Sequence, residues 1–159
     1  DTRVGLSRVV TGYCWEWDGD HQEDPTYMDI QIGDYERPWN LDDRDAWAIE
    51  PGSVEEVGCI HTVQGLEFEY VGVIIAPDLR LENGTIVTDF REHPGQDTCV
   101  RGLKTMADED PDKANSIGEE LIKNIYRTLL TRGMKGCYIY CCDEALQEHL
   151  RTRLERVQN

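Results

Sequence analysis

A chain of 159 residues with 30% charged side chains and a mean hydropathy of −0.58 suits one soluble domain that buries about 70% of its unfolded surface without covalent staples. Its longest apolar run, Val71 to Ala76, falls far short of the roughly 20 residues of a membrane-spanning helix. With 32 acidic against 16 basic side chains, the net charge of −16 argues against a surface that tracks phosphates along its whole length. The acids concentrate in Glu16 to Asp24, Asp42 to Asp45 and Asp108 to Asp112, so a local basic groove stays compatible with the average. The chain opens at Asp1 without a methionine or a signal peptide, which reads as an excised part of a larger protein. Six cysteines without any C-x-x-C pair suggest buried free thiols and a cytoplasmic location; neither a disulfide framework nor a zinc set follows, and no metal ligand is assigned.

In chain order, Arg8 to Trp15 has the β-branched and aromatic character of a strand in the central sheet. Glu16 to Asp45 is acidic and rich in Pro, Gly and Trp, and only Met28 to Ile32 alternates; an irregular excursion with one short strand is expected. Trp15, Trp17, Trp39 and Trp47 either stack on nucleic-acid bases or pin this excursion to the domain. Ala46 to Ile49 is a further short strand, and Pro51-Gly52-Ser53 is a turn. Ser53 to Glu56 fits one helical turn capped by Ser53.

Val57 to Ile60 and Val71 to Ala76 are continuous apolar runs, suited to parallel strands covered on both faces by helices. Between them lies a polar stretch with one glycine. Ligands of open α/β sheets sit at the carboxyl ends of strands, where a glycine lets the backbone approach closely. His61, Thr62, Gln64, Gly65 and Glu67 are therefore read as a ligand-facing loop, with an ordinary solvated connection as the alternative. Pro77 ends the strand, and Asn83-Gly84 sets a hairpin within Leu79 to Phe90, which either touches a neighbour or packs as an edge ribbon. Arg91 to Asn115 reads as a mobile loop. Ser116-Ile117-Gly118-Glu119 fits a capping box, followed by one apolar face at Ile117, Leu121, Ile122, Ile125, Tyr126, Leu129 and Leu130. That helix is expected to end near Thr131 to Gly133, with Gly133 left-handed, so that Arg132 sits at the end of a rigid element. Cys137 to Cys142 is the next strand, and Ala145 to Val157 the last helix.

The string His61-Thr62-Val63-Gln64-Gly65-Leu66-Glu67-Phe68 resembles motif V of superfamily 1 helicases of the UvrD/Rep type. Tyr126-Arg127-Thr128-Leu129-Leu130-Thr131-Arg132-Gly133-Met134-Lys135 resembles their motif VI, whose T-R-[AG] step supplies an arginine finger. The wording around both strings is similar to a prokaryotic family with Schlafen-type helicase domains, a likeness that extends to residues 12–15 and 33–40. The resemblance implies an α/β, RecA-like three-layer domain over residues 1–159, with a mainly parallel sheet, helices on both faces, an inserted β-hairpin and long acidic loops. Its implied task is that of the second motor domain of an ATP-dependent helicase or translocase. Arg132 would be the catalytic finger directed at the γ-phosphate. Gln64, Gly65 and Glu67 would contact the nucleotide, Glu67 at the ribose hydroxyl. His61, Thr62 and Lys135 would face nucleic acid, with Lys135 equally readable as a surface charge. Many UvrD-type relatives carry lysine at the position of Gln64, so one charge is missing here. The chain has no G-x-x-x-x-G-K-[ST]; ATP and Mg²⁺ would be held mainly by an N-terminal RecA-like domain of the same protein, and this chain alone would be inactive. Single-stranded DNA or RNA is the other implied partner. A nucleotide-dependent switch and a non-catalytic interaction module are the alternatives.

Overall fold

Apolar runs without polar alternation form the centre of the computed structural model, which describes residues 6–16, 19–21, 23–41, 47 and 50–158. In chain order the elements are β1 (Ser7–Thr11), β2 (Ile30–Ile32), β3 (Tyr35–Arg37), β4 (Val57–Cys59), β5 (Phe68–Ile75), β6 (Leu79–Glu82), β7 (Thr85–Thr88), α1 (Leu103–Glu109), α2 (Pro111–Leu130), β8 (Gly133–Cys141) and α3 (Glu144–Gln158). The sheet order is β4-β1-β5-β8, and every pairing in it is parallel. Its centre is β5, whose ladder to β8 runs from Phe68↔Gly133 to Ile75↔Cys141.

Successive strand residues point to opposite faces, and the two faces differ. On one, Val10, Val71, Val73 and Ile75 pack with Phe90 and with the buried face of α2, Ile122, Ile125, Tyr126 and Leu129. Leu146 of α3 joins the same cluster, and α1 lies against α2. On the other face Val57 and Cys59 pack with Tyr13, Ile30 and Trp39, and the β2–β3 ribbon lies over them. The α/β class and the mainly parallel sheet match the expectation from sequence. The expected helices on both faces do not: among the described residues all three helices cover one face and a ribbon covers part of the other. Over β5 and β8 that second face carries tyrosines, with Tyr138 70% and Tyr140 49% exposed, and a phenol tolerates such a position because its polar end meets water.

Local chemistry accounts for the other departures. The acidic excursion holds two short strands where one was expected, joined at Gly33-Asp34 with Gly33 at φ +58°, a glycine-first two-residue hairpin loop. Trp39 and Trp47 are 1% exposed, which removes them from any base-stacking platform. They are pins: Trp39 meets Tyr13 at 4.5 Å between ring centroids and Trp47 meets Phe68 at 6.3 Å. Trp17 and, apart from Trp47, the expected strand at 46–49 lie outside the described residues. Ser53 does not cap a helical turn. It sits inside a 3-10 turn, Pro51–Val54, where its hydroxyl accepts from Arg8 Nε and donates to the Glu50 carbonyl.

The expected loop at 91–115 contains α1 and two 3-10 turns, and α2 starts five residues before the expected capping box, at Pro111. The signal overlooked was Asp110-Pro111: the Asp110 carboxylate accepts from the Lys113 amide, and proline suits the first helical position. Gly133 opens β8 and is not left-handed. The hairpin is as expected, with Asn83 at φ +50° and Gly84 at φ +79°. In α2, Ile117 is 39% exposed while Gly118 faces inward, because the Phe90 ring occupies the space a side chain would need. A Cβ at Gly118 would lie 2.5 Å from Phe90 Cδ1. Gly118→Leu is therefore expected to lower the unfolding free energy by about 1–3 kcal/mol, read from urea denaturation, while Ile117→Ser changes it by less than about 0.5 kcal/mol.

Candidate functional site

Residues 60–67 join two parallel strands that are separated by β1. Thr11 is paired both with Cys59, the last residue of β4, and with Ile74 near the end of β5. The connection must therefore return from the carboxyl end of the sheet to Phe68 at its amino end, about 20 Å at the rise of a β-strand. It does so in tight turns, with Val63 N–H donating to the Cys59 carbonyl and Leu66 N–H to that of Val63. Ile60 and Val63 are buried in the main core, and Gly65 takes φ +78°, a conformation glycine adopts without strain. The single ligand-facing loop expected at a carboxyl end is thus divided. His61 and Thr62 lie by the carboxyl end, Glu67 by the amino end, and Gln64 and Gly65 between them.

At the amino end the chain brings Arg132 to this loop. Arg132 follows α2 directly, and its backbone is tied on both sides: its amide donates to the Leu129 carbonyl at 3.1 Å, and its carbonyl accepts from Phe68 N–H at 2.8 Å. The guanidinium donates through Nε to the Thr128 carbonyl at 3.1 Å and through Nη1 to the Leu66 carbonyl at 3.4 Å. Arg132 is half-buried and pairs with no carboxylate among the described residues. Glu67, next to Leu66, is exposed, as are Gln64 and Gly65. Lys135 is exposed and bound to Glu69 at 2.6 Å, a contact that raises its pKa.

At the carboxyl end the Thr62 hydroxyl is taken up internally by Asn40 Oδ1 and lies 3.1 Å from Cys59 Sγ. Asn40 reaches it because the segment after β3 runs beside β4, with Asn40 N–H donating to the Val57 carbonyl. His61 is exposed, with Nε2 at 3.7 Å from Cys99 Sγ. Behind them lies a buried polar network. His93 meets Asp97 through Nδ1 at 2.5 Å and Asp78 through Nε2 at 2.8 Å, all three side chains being fully enclosed. Tyr126 of α2 donates to Asp78 Oδ1 at 2.5 Å and accepts from the Ala76 amide at 2.9 Å.

Burial works against a charge on His93, but its two carboxylate hydrogen bonds outweigh it and hold the pKa up at about 9. The ring is therefore an imidazolium. Burial likewise opposes ionisation of Asp97, and the hydrogen bonds from His93 and the Cys99 amide prevail, leaving its pKa lowered. The Cys99 thiol is pushed up to about 11 by burial and by Asp97. Sequence reasoning missed Asn40, Asp78, His93 and Asp97: His93 and Asp97 are four residues apart within one loop, while Asp78 reaches His93, and Asn40 reaches Thr62, only through the fold.

Replacing His93 by leucine leaves two enclosed carboxylates facing each other without a cation. The expected loss of stability is about 3–5 kcal/mol, measured by chemical denaturation; a loss under about 1 kcal/mol would show that the ring carries no such charge.

The sequence matches the family described as Schlafen group 3, DNA/RNA helicase domain, over residues 1–143. Among curated proteins, an uncharacterized protein of Saccharomyces cerevisiae is 28% identical over 104 residues, which is 65% of this chain and 22% of the yeast protein. The chain thus spans about a fifth of the length of that relative. No solved structure matches. The family match takes in all four strands of the parallel sheet, the returning loop and the helix that leads to Arg132, and the chain belongs to the Schlafen group 3 DNA/RNA helicase domain family.

Proposed function

We propose that this domain is the second motor domain of an ATP-dependent superfamily 1 helicase or translocase of the UvrD/Rep type, and that it completes an ATP site begun by an N-terminal RecA-like domain. The observation that carries this reading is the adjacency of Arg132 to the 64–67 loop, with the guanidinium on the Leu66 carbonyl. The residues suit a triphosphate. Arg132 is a cation without a carboxylate partner among the described residues, held on a backbone fixed at two points. Glu67 is an exposed acceptor one residue beyond Leu66, and an ionised carboxylate accepts from a ribose hydroxyl. Gln64 and Gly65 offer amide groups in place of the lysine found in many relatives.

ATP with Mg²⁺ supplies the scissile phosphoanhydride, on which charge builds at the γ-phosphoryl during transfer. This chain contributes a permanently charged, planar fork suited to phosphate oxygens and a rigid helix that positions it. His61, Thr62 and Lys135 are the proposed contacts to single-stranded DNA or RNA. Two of them need a partner exchange first: Thr62 must leave Asn40 and Lys135 must leave Glu69. The net charge of −16 favours a second reading in which the same site drives a conformational switch without strand unwinding; a cytoplasmic setting suits both.

In a protein carrying both RecA-like domains, Arg132→Ala is expected to lower kcat for ATP hydrolysis by about 10³-fold or more. A steady-state assay returning near-normal turnover would refute the finger. Stimulation of the wild-type rate by single-stranded DNA or RNA supports the motor, and indifference to both supports the switch.

A further inference from the structure

Among the described residues, two groups of three side chains bring metal-ligating atoms within 4.8 Å of one another: Cys14, Asp78 and His93, and His61, Asp97 and Cys99. The first group is already committed. Both ring nitrogens of His93 are engaged by carboxylates, so the ring has no lone pair to offer a cation. The second group is different. His61 is exposed and keeps Nε2 at 3.7 Å from Cys99 Sγ. Zinc bonded tetrahedrally to sulfur at about 2.3 Å and nitrogen at about 2.0 Å holds the two donors about 3.5 Å apart, so the observed spacing needs a shift of a few tenths of an ångström.

We infer that His61, Asp97 and Cys99 form a binding site for a zinc-type divalent metal ion at the carboxyl end of the sheet. The donor set is one imidazole, one carboxylate and one thiolate, which suits zinc among the divalent ions. A fourth position is left to water, on the side where His61 is exposed.

The supporting shell is the strongest part of the geometry. Asp97 accepts from His93 Nδ1 on Oδ2 and from the Cys99 amide on Oδ1, and each carboxylate oxygen keeps a further lone pair for an ion. The carboxylate is thus oriented before any metal arrives, and His93 is fixed in turn by Asp78 and Asp78 by Tyr126. Orientation of ligands by an outer layer of hydrogen bonds is what sets affinity in metal sites. Cys99 gives up its proton when it binds.

The ion would join the 60–67 loop to the 3-10 turn Thr98–Val100. A metal-bound His61 also cannot use Nε2 toward a nucleic-acid strand, so metal occupancy and that proposed contact compete for one nitrogen. The site stands independently of the ATP chemistry proposed above.

Cobalt titration of the purified, reduced, chelator-treated protein tests it. One equivalent of Co²⁺ is expected to give the visible bands of four-coordinate cobalt together with a thiolate-to-metal charge-transfer band, both erased by one equivalent of Zn²⁺. Cys99→Ser should abolish the charge-transfer band and His61→Ala should weaken binding at least about tenfold, with far-ultraviolet circular dichroism unchanged because His61 is exposed, Cys99 is half-buried and serine is close to cysteine in size. His93→Gln, which removes the ring that orients Asp97, should weaken binding by about 10–100-fold at a temperature where circular dichroism shows the variant folded, and Cys14→Ser should leave binding unchanged. No cobalt uptake, a charge-transfer band that survives Cys99→Ser, or one that disappears with Cys14→Ser would each overturn the assignment.

Discussion

Two parallel strands with a third between them cannot be joined by a hairpin, and the 60–67 loop has to carry the chain back along the whole sheet before β5 can begin. Eight residues manage this only because Ile60 and Val63 sink into the core and the backbone coils between them. One short string therefore serves both ends of the sheet. At the amino end Phe68 N–H closes onto the Arg132 carbonyl, so the same constraint that starts β5 also fixes the entry to β8 and the arginine in front of it. At the carboxyl end the first residues of the string meet a polar environment built from three other segments.

Helix α2 connects these ends. Tyr126 on its buried face is tied to Asp78 and through it to the His93 imidazolium, and six residues later the chain reaches Arg132. The network shows how a chain with net charge −16 arranges charge in its interior: two enclosed carboxylates share one ring, and the Tyr126 hydroxyl donates to one of them. A buried pair of this kind is costly to assemble and costlier to break. It also fixes the loop after β7 to the sheet, where sequence alone suggested freedom.

The parts legible in the sequence were those decided by local pattern. Unbroken apolar runs at β4 and β5 announced buried parallel strands, Asn83-Gly84 announced the hairpin, and the apolar spacing from Leu121 to Leu129 announced most of α2. The strings at 61–68 and 126–135 singled out residues that prove to be neighbours at Leu66 and Arg132. What failed was decided by contacts distant in sequence. Ser116 looks like a cap only if Asp110 is ignored, Gly133 looks like a helix stop only if the approach of β5 is ignored, and Gly118 faces the core only because Phe90 is there. The division of the loop between two ends of the sheet required the strand order, which no window of residues contains. Asn40, Asp78 and the His93–Asp97 pair were invisible for the same reason, since they come from three separate segments that only the folded sheet brings to one end.

A structure of this domain joined to the proposed N-terminal RecA-like domain, with a non-hydrolysable ATP analogue and Mg²⁺, tests the central proposal most directly. An Arg132 guanidinium within about 3 Å of γ-phosphate oxygens, with Glu67 at the ribose, is the predicted result. A guanidinium still bound to the Leu66 and Thr128 carbonyls, while some other cation holds the γ-phosphate, would contradict it.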